Sequence, residues 1–294
     1  MSIFQSKLNT VANSTNSYLR RFFLRQKNNS YLLKPMKYGI FSGGKRFRSA
    51  IVVNTGKIHS VDYKKLIIIG SAIECIHSYS LIHDDLPSMD NDELRRGKPS
   101  VHKKFNEFTA ILAGSSLLTL AFEILAGKDL QLSQNSKNEL IKTLSSCAGH
   151  AGLAGGQYYD LTFENKSILK KNIINMQKKK TGELFGFCCE SIAIIKGVNF
   201  VQRKKLKEIG INIGLLFQIV DDLIDFKGDS VIVGKPTRSD EKKGKATLVN
   251  LIGYKKTVNF AKNLKKKIDH QIKKYGSKAN DLLDSVEFIL KRDF

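Results

Sequence analysis

A long apolar stretch in this sequence runs directly into a cluster of charged residues. Residues 64–85 read KKLIIIGSAIECIHSYSLIHDD, which has the length of a helix and contains no proline. The stretch overlaps Leu81 to Gly97, which contains five acids and two adjacent arginines. On a helix that turns by about 100° per residue, His77, Ser80 and Asp84 share one stripe. We therefore expect a core helix that brings a histidine and a carboxylate to a cluster of charged side chains.

Pro87 predicts where this helix ends. An ideal helix would carry Asp90 about 240° around the axis from Asp84, whereas proline removes a backbone donor and clashes with the preceding turn. We therefore expect a break or bulge near Pro87 that brings Asp90 back toward Asp84. Converging carboxylates repel one another unless a cation separates them, and oxygen ligands beside arginines suit magnesium that carries phosphate. Taken alone, the segment fits a solvated acidic turn equally well.

A second acidic cluster, Phe217 to Asp225, favours the metal site. Its sequence is FQIVDDLID, and Asp221 and Asp225 lie about 40° from each other on a helix. Gln218 lies one turn before Asp221 and Asp222. Acids on the flank of an otherwise apolar helix are costly to desolvate unless they are paired or bound to metal. Because the chain has two such clusters, we favour a metal site over a solvent-exposed acidic face.

Composition indicates a globular protein with a basic surface. The 294 residues are 41% hydrophobic, and the formal net charge is +22. Such a charge is typical of proteins that bind nucleic acid or anionic membranes. The lysines are scattered at helix-surface positions in runs such as KKLKEIG and NLKKKIDHQIKK. We therefore favour a solvated surface and predict no nucleic-acid partner.

The sequence predicts a cytoplasmic protein without a transmembrane segment. Its first residues lack the continuous apolar core of a secretory signal, and four cysteines without metal spacing suit a reducing compartment. The longest apolar run, Ala110 to Gly127, approaches membrane-spanning length but contains two serines, a threonine and Glu123. We interpret it as a buried helix of a soluble protein.

Helical patterns dominate the rest of the chain. Further helices are predicted for residues 2–26, 134–151, 166–197, 249–275 and 280–292. No convincing run of alternating strand residues appears, and no linker rich in Pro, Gly or Ser divides the sequence. The predicted fold class is therefore all-α, with roughly ten or more helices in a single domain, residues 1–294.

Two glycine-containing segments suggest close approach of a ligand or of another helix. In SGGKRFR the glycines permit unusual backbone conformations just before three cations, Lys45, Arg46 and Arg48. This segment is a plausible diphosphate cradle. In GHAGLAGGQYYDL the glycines either end a helix or let two helices approach closely, with Gln157 and Asp160 facing inward.

Basic residues also lie around the second acidic cluster. Lys180 and Thr181 stand where the basic run KKK meets an apolar segment, and a solvated lysine run is the alternative there. Beyond Asp225 the sequence becomes loop-like, with glycine and proline as breakers. Lys235 and Lys245 are therefore expected on a flexible cover near the second cluster.

Six motifs occur in order along nearly the whole chain: GGKRFR, IHSYSLIHDDLPSMDNDELRRGKPS, GGQYYDL, KKKTGELF, FQIVDDLIDFKGD and GKATL. The ordered set resembles the trans-prenyl diphosphate synthases, most closely the bacterial members that make farnesyl diphosphate. The resemblance implies a homodimer of helical bundles, each around a deep cavity with the two aspartate motifs facing each other across its mouth. It also implies a prenyltransferase that ionises an allylic diphosphate, dimethylallyl or geranyl, joins the cation to the double bond of isopentenyl diphosphate, and then loses a proton.

The resemblance assigns roles by position. It implies three magnesium ions on the allylic diphosphate, held by Asp84, Asp85, Asp90, Asp221, Asp222 and Asp225. The same diphosphate would be assisted by Arg95, Lys180, Gln218, Lys235 and Lys245. Isopentenyl diphosphate would be held by Lys45, Arg48, His77 and Arg96. Thr181 would lie beside the forming cation, and the departing diphosphate would accept the proton.

One position departs from the family pattern. The family usually has glycine before the aspartate aligned with Asp240, whereas Arg238 and Ser239 precede it here. The sequence thus departs from the family pattern next to Lys235, in the segment that the resemblance identifies as a closing loop.

Other functions fit the sequence less well. The nearest rival is the same chemistry with geranylgeranyl diphosphate as product. A terpene cyclase is disfavoured by GGKRFR and by the complete second aspartate motif. A non-catalytic subunit of a heteromeric synthase typically loses motif aspartates, and this chain has lost none.

Product length is expected to depend on the residues one turn before Asp84. By periodicity Ser80 lies on the Asp84 stripe and Tyr79 about 140° away from it, so geometry alone would make the small serine the cavity floor. In the bacterial farnesyl synthases that this chain resembles, a fifteen-carbon limit accompanies two features. These are an aromatic residue five positions before the motif and a two-residue insertion, here Pro87 and Ser88. On that resemblance we predict that Tyr79 closes the cavity.

Overall fold

The computed structural model describes residues 3–26, 30–227 and 243–292. Within these ranges helices form nearly all of the regular structure, so the predicted all-α fold is confirmed. The described strands, Leu94–Arg95 (β1) and Lys98–Pro99 (β2), form one antiparallel hairpin. Strands of two residues are too short to produce an alternating pattern, which is why the sequence did not reveal them.

The chain divides into two compact units. The first comprises residues 1–53 and 61–141, and the second comprises residues 54–60 and 142–294. The single domain expected for residues 1–294 stays a prediction.

The first unit is built around one long helix. Its helices are Ile3–Arg25 (α1), Leu33–Phe41 (α2), Phe47–Ile58 (α3), Tyr63–Asp84 (α4), Val101–Lys104 (α5), Glu107–Ala126 (α6) and Gln134–Ala148 (α7). The last residues of α3 and α7 are assigned to the second unit. The helix α4 packs against α6, with α1 and α2 alongside. Asp62 caps α4, because its carboxylate accepts the Lys65 amide at 3.2 Å. Since α4 is apolar on nearly every side, it is buried almost throughout.

Two helices of this unit, α4 and α6, are long and apolar enough to cross a membrane by length and composition alone. The apolar window of α4 is 78% buried, which identifies a core helix. That of α6 is only 44% buried, and Phe108, Ile111 and Leu112 are 66%, 45% and 52% exposed. The prediction that Ala110 to Gly127 is a buried helix is therefore wrong for one face. Because apolar residues also lie on the exposed face, the sequence did not show which face is covered.

The second unit is built around α11. Its helices are Leu153–Thr162 (α8), Lys170–Gln177 (α9), Glu183–Lys196 (α10), Phe200–Lys227 (α11), Leu248–Ile252 (α12), Tyr254–Lys273 (α13) and Asn280–Leu290 (α14). A π-helical turn, Lys178–Gly182, joins α9 to α10, and a 3₁₀ turn, Ser277–Ala279, precedes α14. The helix α11 packs against α10, α13 and α14. The helix expected for residues 249–275 is divided in two at Gly253.

Candidate active site

The acidic segment after α4 forms a tight turn. The helix ends at Asp84, and the Asp90 amide donates to the Asp84 carbonyl oxygen at 2.8 Å. The predicted break near Pro87, with Asp90 returning toward Asp84, is therefore confirmed. Asp84 and Asp90 are half-buried, whereas Asp85 is buried. The three acids of the first motif thus have different surroundings.

The β1–β2 hairpin directs two neighbouring arginines to different partners. Arg95 donates through Nε to Asp85 Oδ1 at 2.9 Å and through Nη2 to Asp92 Oδ2 at 3.0 Å. Burial raises the pKa of the Asp85 carboxyl, and Arg95 counters this effect only in part. Arg96 lies at the turn of the hairpin with φ +55, as two-residue hairpin turns require. Asp85 is thus engaged by an arginine of its own segment.

Arg96 reaches the glycines of SGGKRFR. Its Nη1 donates to the Gly43 carbonyl oxygen. A Cβ placed on Gly44 would lie 2.6 Å from the same nitrogen and would displace the guanidinium, and the φ of +104 at Gly44 is one that residues with a side chain rarely adopt. The cations Lys45, which is exposed, and Arg48, which is half-buried, follow directly. Segments about fifty residues apart in sequence therefore meet at one place.

Several arginines act electrostatically on His77 of α4. Burial lowers the pKa of His77 well below its ordinary value of 6.5, and the charges of Arg48, Arg96, Arg46 and Arg95 lower it further. The imidazole is therefore neutral at pH 7 and can donate one hydrogen bond without adding charge. The glycine loop, α4 and the hairpin together form a cationic region.

The lowered pKa of His77 predicts sensitivity to acid. Below pH 6.5 the unfolded chain binds a proton that the folded chain excludes, so stability falls as the pH falls. We expect His77→Gln to reduce the slope of unfolding free energy against pH by up to about 1.4 kcal/mol per pH unit. Urea denaturation across this range measures the slope. The control is His270→Gln at an exposed position, and an unchanged slope in the His77 variant would contradict the argument.

The second acidic cluster lies on α11, and its acids also differ. Asp221 and Asp225 are half-buried, whereas Asp222 is buried. Asp222 accepts hydrogen bonds from the side-chain amides of Gln177 at 2.6 Å and Gln218 at 2.9 Å. Gln177 was not predicted, since no sequence pattern marks it. Asp222 is thus held in place by neutral donors.

Thr181 joins this hydrogen-bond chain. Its hydroxyl donates to Gln218 Oε1 at 2.9 Å, and Gln218 in turn donates to Asp222. Both ends of the Gln218 amide are therefore committed, which fixes its orientation. Thr181 belongs to the π-helical turn, a type of irregularity that is frequent at functional sites.

The π-helical turn packs tightly on α8. A Cβ on Gly156 would lie 2.1 Å from the Lys180 backbone nitrogen, so the two backbones approach more closely than a side chain allows. The interpretation of close helix approach is therefore confirmed at Gly156, while Gly152 lies at the helix boundary that the other interpretation expected. Gln157 and Asp160 are both buried, as that interpretation expected.

Lys180 and Lys245 share one acid. Their Nζ atoms lie 2.7 Å and 3.0 Å from Asp160 Oδ2, and Lys245 also lies 2.8 Å from Glu164 Oε1. Burial acts to raise the pKa of Asp160, but the two ammonium groups outweigh it and hold that pKa below its ordinary value. Because Lys245 is buried in this cluster, its predicted place on a flexible cover is wrong.

Arg292 contacts the second acidic cluster, and no sequence pattern predicted this contact. Arg292 Nη1 lies 2.6 Å from Asp221 Oδ1, and its guanidinium lies 4.7 Å from the centre of the Phe217 ring.

Lys235 and the departure at Arg238–Ser239 lie outside the described residues. Among the residues that are described, no three His, Cys, Asp or Glu side chains come close enough to hold a metal ion alone.

The two candidates for product length differ in their contacts. The Tyr79 ring meets the His83 ring edge to face, with centroids 4.9 Å apart. The Ser80 hydroxyl donates to the His77 carbonyl oxygen of its own helix at 2.9 Å. Burial and the charge of Asp84 both raise the pKa of Tyr79. The phenol therefore lies within the electrostatic range of the first motif.

Known proteins resemble this chain closely. A family model described as Polyprenyl synthetase matches residues 29–286. The farnesyl diphosphate synthase of Geobacillus stearothermophilus is 38% identical over 86% of each chain, and that of Escherichia coli (strain K12) is 36% identical over 99% of each. A geranyltransferase from Helicobacter pylori, solved in complex with magnesium and isoprenyl diphosphate, superposes with a TM-score of 0.84 at 32% identity, covering 99% of this chain and 97% of its own.

Proposed function

Because the chain belongs to the polyprenyl synthetase family, we propose that it is a prenyltransferase that makes farnesyl diphosphate. The allylic carbon–oxygen bond breaks, and the diphosphate departs with the electron pair. The double bond of isopentenyl diphosphate then attacks the allylic cation, and a proton leaves to the departing diphosphate. The protein's task is to bind two diphosphates separately and to keep water from the cation.

One observation carries this proposal: the contact of Arg96 with the Gly43–Gly44 loop. It joins the loop cations to the hairpin beside the Asp84–Asp90 turn. Neutral His77 lies in the same cationic region and can donate a hydrogen bond. We assign this region to the diphosphate of isopentenyl diphosphate, with Lys45, Arg48, His77 and Arg96 as its ligands. A diphosphate would relieve the repulsion among these cations.

We assign the allylic diphosphate to the two aspartate motifs, with three magnesium ions. Magnesium is usually held by one or two carboxylates together with substrate phosphates, which suits acids that form no three-member cluster among the described residues. The proposed ligands are the half-buried acids Asp84, Asp90, Asp221 and Asp225, supported by the buried Asp85 and Asp222. Held by these acids, magnesium would neutralise the charge of the leaving diphosphate. The Helicobacter pylori relative, with magnesium and isoprenyl diphosphate bound, supports this proposal.

Basic side chains of the second unit have proposed roles of their own. Asp160 holds Lys180 and Lys245 as a pair of cations, which we assign to the leaving diphosphate together with Arg95. The Thr181 hydroxyl proton is committed to Gln218, so the lone pairs of its oxygen remain to stabilise a nearby positive charge. Lys235, outside the described residues, keeps its proposed role by resemblance.

Incorporation of labelled isopentenyl diphosphate tests this function. The purified protein is supplied with magnesium and, in turn, with dimethylallyl or geranyl diphosphate, and the products are sized by chromatography. We expect fifteen-carbon product from both starters and none without magnesium. A twenty-carbon main product would support the geranylgeranyl alternative, and no incorporation would contradict the proposed function.

We also propose a homodimer that covers the exposed face of α6. Phe108, Ile111 and Leu112 present an apolar surface there, which in water favours association with a second copy. We expect Leu112→Glu to shift the mass measured by light scattering from dimer toward monomer. The control is Leu251→Glu, a change at a leucine that is 43% exposed on α12, which should leave the mass unchanged. A monomeric wild type would contradict the proposal.

We propose the cytoplasm as the location. The cysteines Cys75, Cys147, Cys188 and Cys189 are all free and buried, which accords with a reducing compartment.

A further inference from the structure

A buried charged pair lies inside the glycine–cation segment. Arg46 stands between Lys45 and Arg48 in the sequence, yet its side chain and that of Glu74 on α4 are each 2% exposed. Arg46 is thus closed to solvent, unlike Lys45 and Arg48, and cannot serve as a diphosphate ligand itself. Glu74 is unusual in the sequence, because it is the only acid within the apolar part of α4.

The conformation of Arg46 is held by several contacts. Its backbone has φ +50, which is costly for a residue with a side chain. Its Nε donates to Asn16 Oδ1 at 2.9 Å, its Nη2 donates to the Ile40 carbonyl oxygen, and its Nη1 lies 3.7 Å from Glu74 Oε2. Buried ion pairs are often no more stabilising than apolar packing. The strain and the pair together therefore indicate a role in geometry.

The other oxygen of Glu74 holds the start of α3. Glu74 Oε1 accepts the Ser49 amide at 3.2 Å and lies 3.4 Å from the Ser49 hydroxyl. This amide belongs to the first turn of α3, where backbone donors lack partners within the helix. A negative charge is also favourable at a helix N-terminus. Glu74 thus supplies the cap that the preceding residue, Arg46, cannot.

The face of α4 that holds α3 also carries the site histidine. Gly70, Glu74 and His77 share one stripe by helical spacing. A Cβ on Gly70 would lie 2.8 Å from Ser49 Oγ and 3.1 Å from Ser49 Cα, so α3 begins closer to α4 than a side chain would allow. This stripe therefore sets the start of α3, and the loop cations beside it, at a defined distance from His77.

We propose that Arg46 and Glu74 are positioning residues for isopentenyl diphosphate, fixing the cations Lys45 and Arg48 relative to His77. This inference rests on the proposed function. Neither residue touches substrate, and each acts through the start of α3.

The test is Glu74→Gln, which keeps the shape and an acceptor for the Ser49 amide but removes the charge that faces Arg46. We expect the KM for isopentenyl diphosphate to rise about tenfold or more, because a misplacement of about 1 Å costs up to roughly 100-fold. The KM for the allylic diphosphate and kcat should stay nearly unchanged. Steady-state kinetics with each substrate varied separately gives these values.

Two further variants separate positioning from general stability. Glu190→Gln breaks a comparable pair in the second unit, where Arg203 Nε donates to Glu190 Oε1 at 2.8 Å. It should lower Tm without changing either KM. Gly70→Ala crowds Ser49 while keeping every charge and favouring the helix, and it should raise the KM for isopentenyl diphosphate selectively.

These outcomes are distinguishable. An active wild type whose Glu74→Gln and Gly70→Ala variants show unchanged KM values, or equal rises for both substrates, would overturn the positioning role alone. If Glu74→Gln does not fold, Gly70→Ala decides. A wild type that incorporates no isopentenyl diphosphate with any allylic starter would overturn the proposed function and this inference together.

Discussion

Replacing Asp84 or Asp221 with alanine is expected to abolish turnover while leaving the helices intact. Both acids are half-buried near the ends of core helices, so neither fills space in an apolar interior. In the proposed site their oxygens hold the magnesium that neutralises the leaving diphosphate. Removing one preorganised electrostatic group typically costs about 3 kcal/mol or more, which is roughly a 100-fold or greater loss of kcat.

Incorporation of labelled isopentenyl diphosphate measures the loss, and circular dichroism checks the helices. Asp129→Ala is the matched control, because Asp129 pairs with Arg25 on the surface at 2.7 Å, away from both motifs in sequence. It should keep the wild-type rate. If Asp84→Ala or Asp221→Ala kept a rate near that of the wild type at saturating magnesium, the site of two aspartate motifs would be wrong.

Local sequence was sufficient for α4 and its end. An apolar stretch without proline, followed by Pro87, predicted one helix that stops before the acidic turn, as the structure shows. The return of Asp90 to Asp84 followed from the chemistry of proline alone. The carboxylate face of α11 was equally predictable, since residues three and four apart share a helix face.

Contacts between distant segments could not be predicted in this way. Lys245 follows a stretch rich in glycine and lysine, so sequence indicated a loop, but Asp160 draws it into a buried cluster. The partners of Arg46 come from α1, α2 and α4, and no local pattern encodes such a meeting. The exposed face of α6 was not predicted, because Phe108, Ile111 and Leu112 on that face are as apolar as the buried residues of the helix.

We predict that Tyr79, and not Ser80, limits the length of the product, although helical periodicity alone favours Ser80. Periodicity places Ser80 on the Asp84 stripe, but its hydroxyl is turned to its own helix at the His77 carbonyl oxygen. The Tyr79 ring, about 140° around the axis by periodicity, packs edge to face on His83, the residue before Asp84. Asp84 raises the pKa of Tyr79, after burial, so the phenol extends into the range of its charge.

His83 gives the tyrosine ring a fixed support. Its Nε2 lies 3.0 Å from the Ile111 carbonyl oxygen of α6, so the imidazole is tied to the neighbouring helix. An edge-to-face ring pair on such a support holds the phenol in one orientation. A large side chain held rigidly one turn before the first motif is suited to stop a growing chain, whereas Ser80 offers only a small, satisfied hydroxyl.

Tyr79→Ala is therefore expected to lengthen the main product from fifteen carbons to twenty or more. Truncating the ring opens space beside α4, and a longer apolar chain gains burial in it. Ser80→Ala is the matched control at the next position and should leave the fifteen-carbon product dominant. Chromatography of the dephosphorylated products from geranyl diphosphate and labelled isopentenyl diphosphate measures both. If the wild type already made mostly twenty-carbon product, or Tyr79→Ala left the product unchanged, the tyrosine would not be the floor and Ser80 would be the residue to enlarge next.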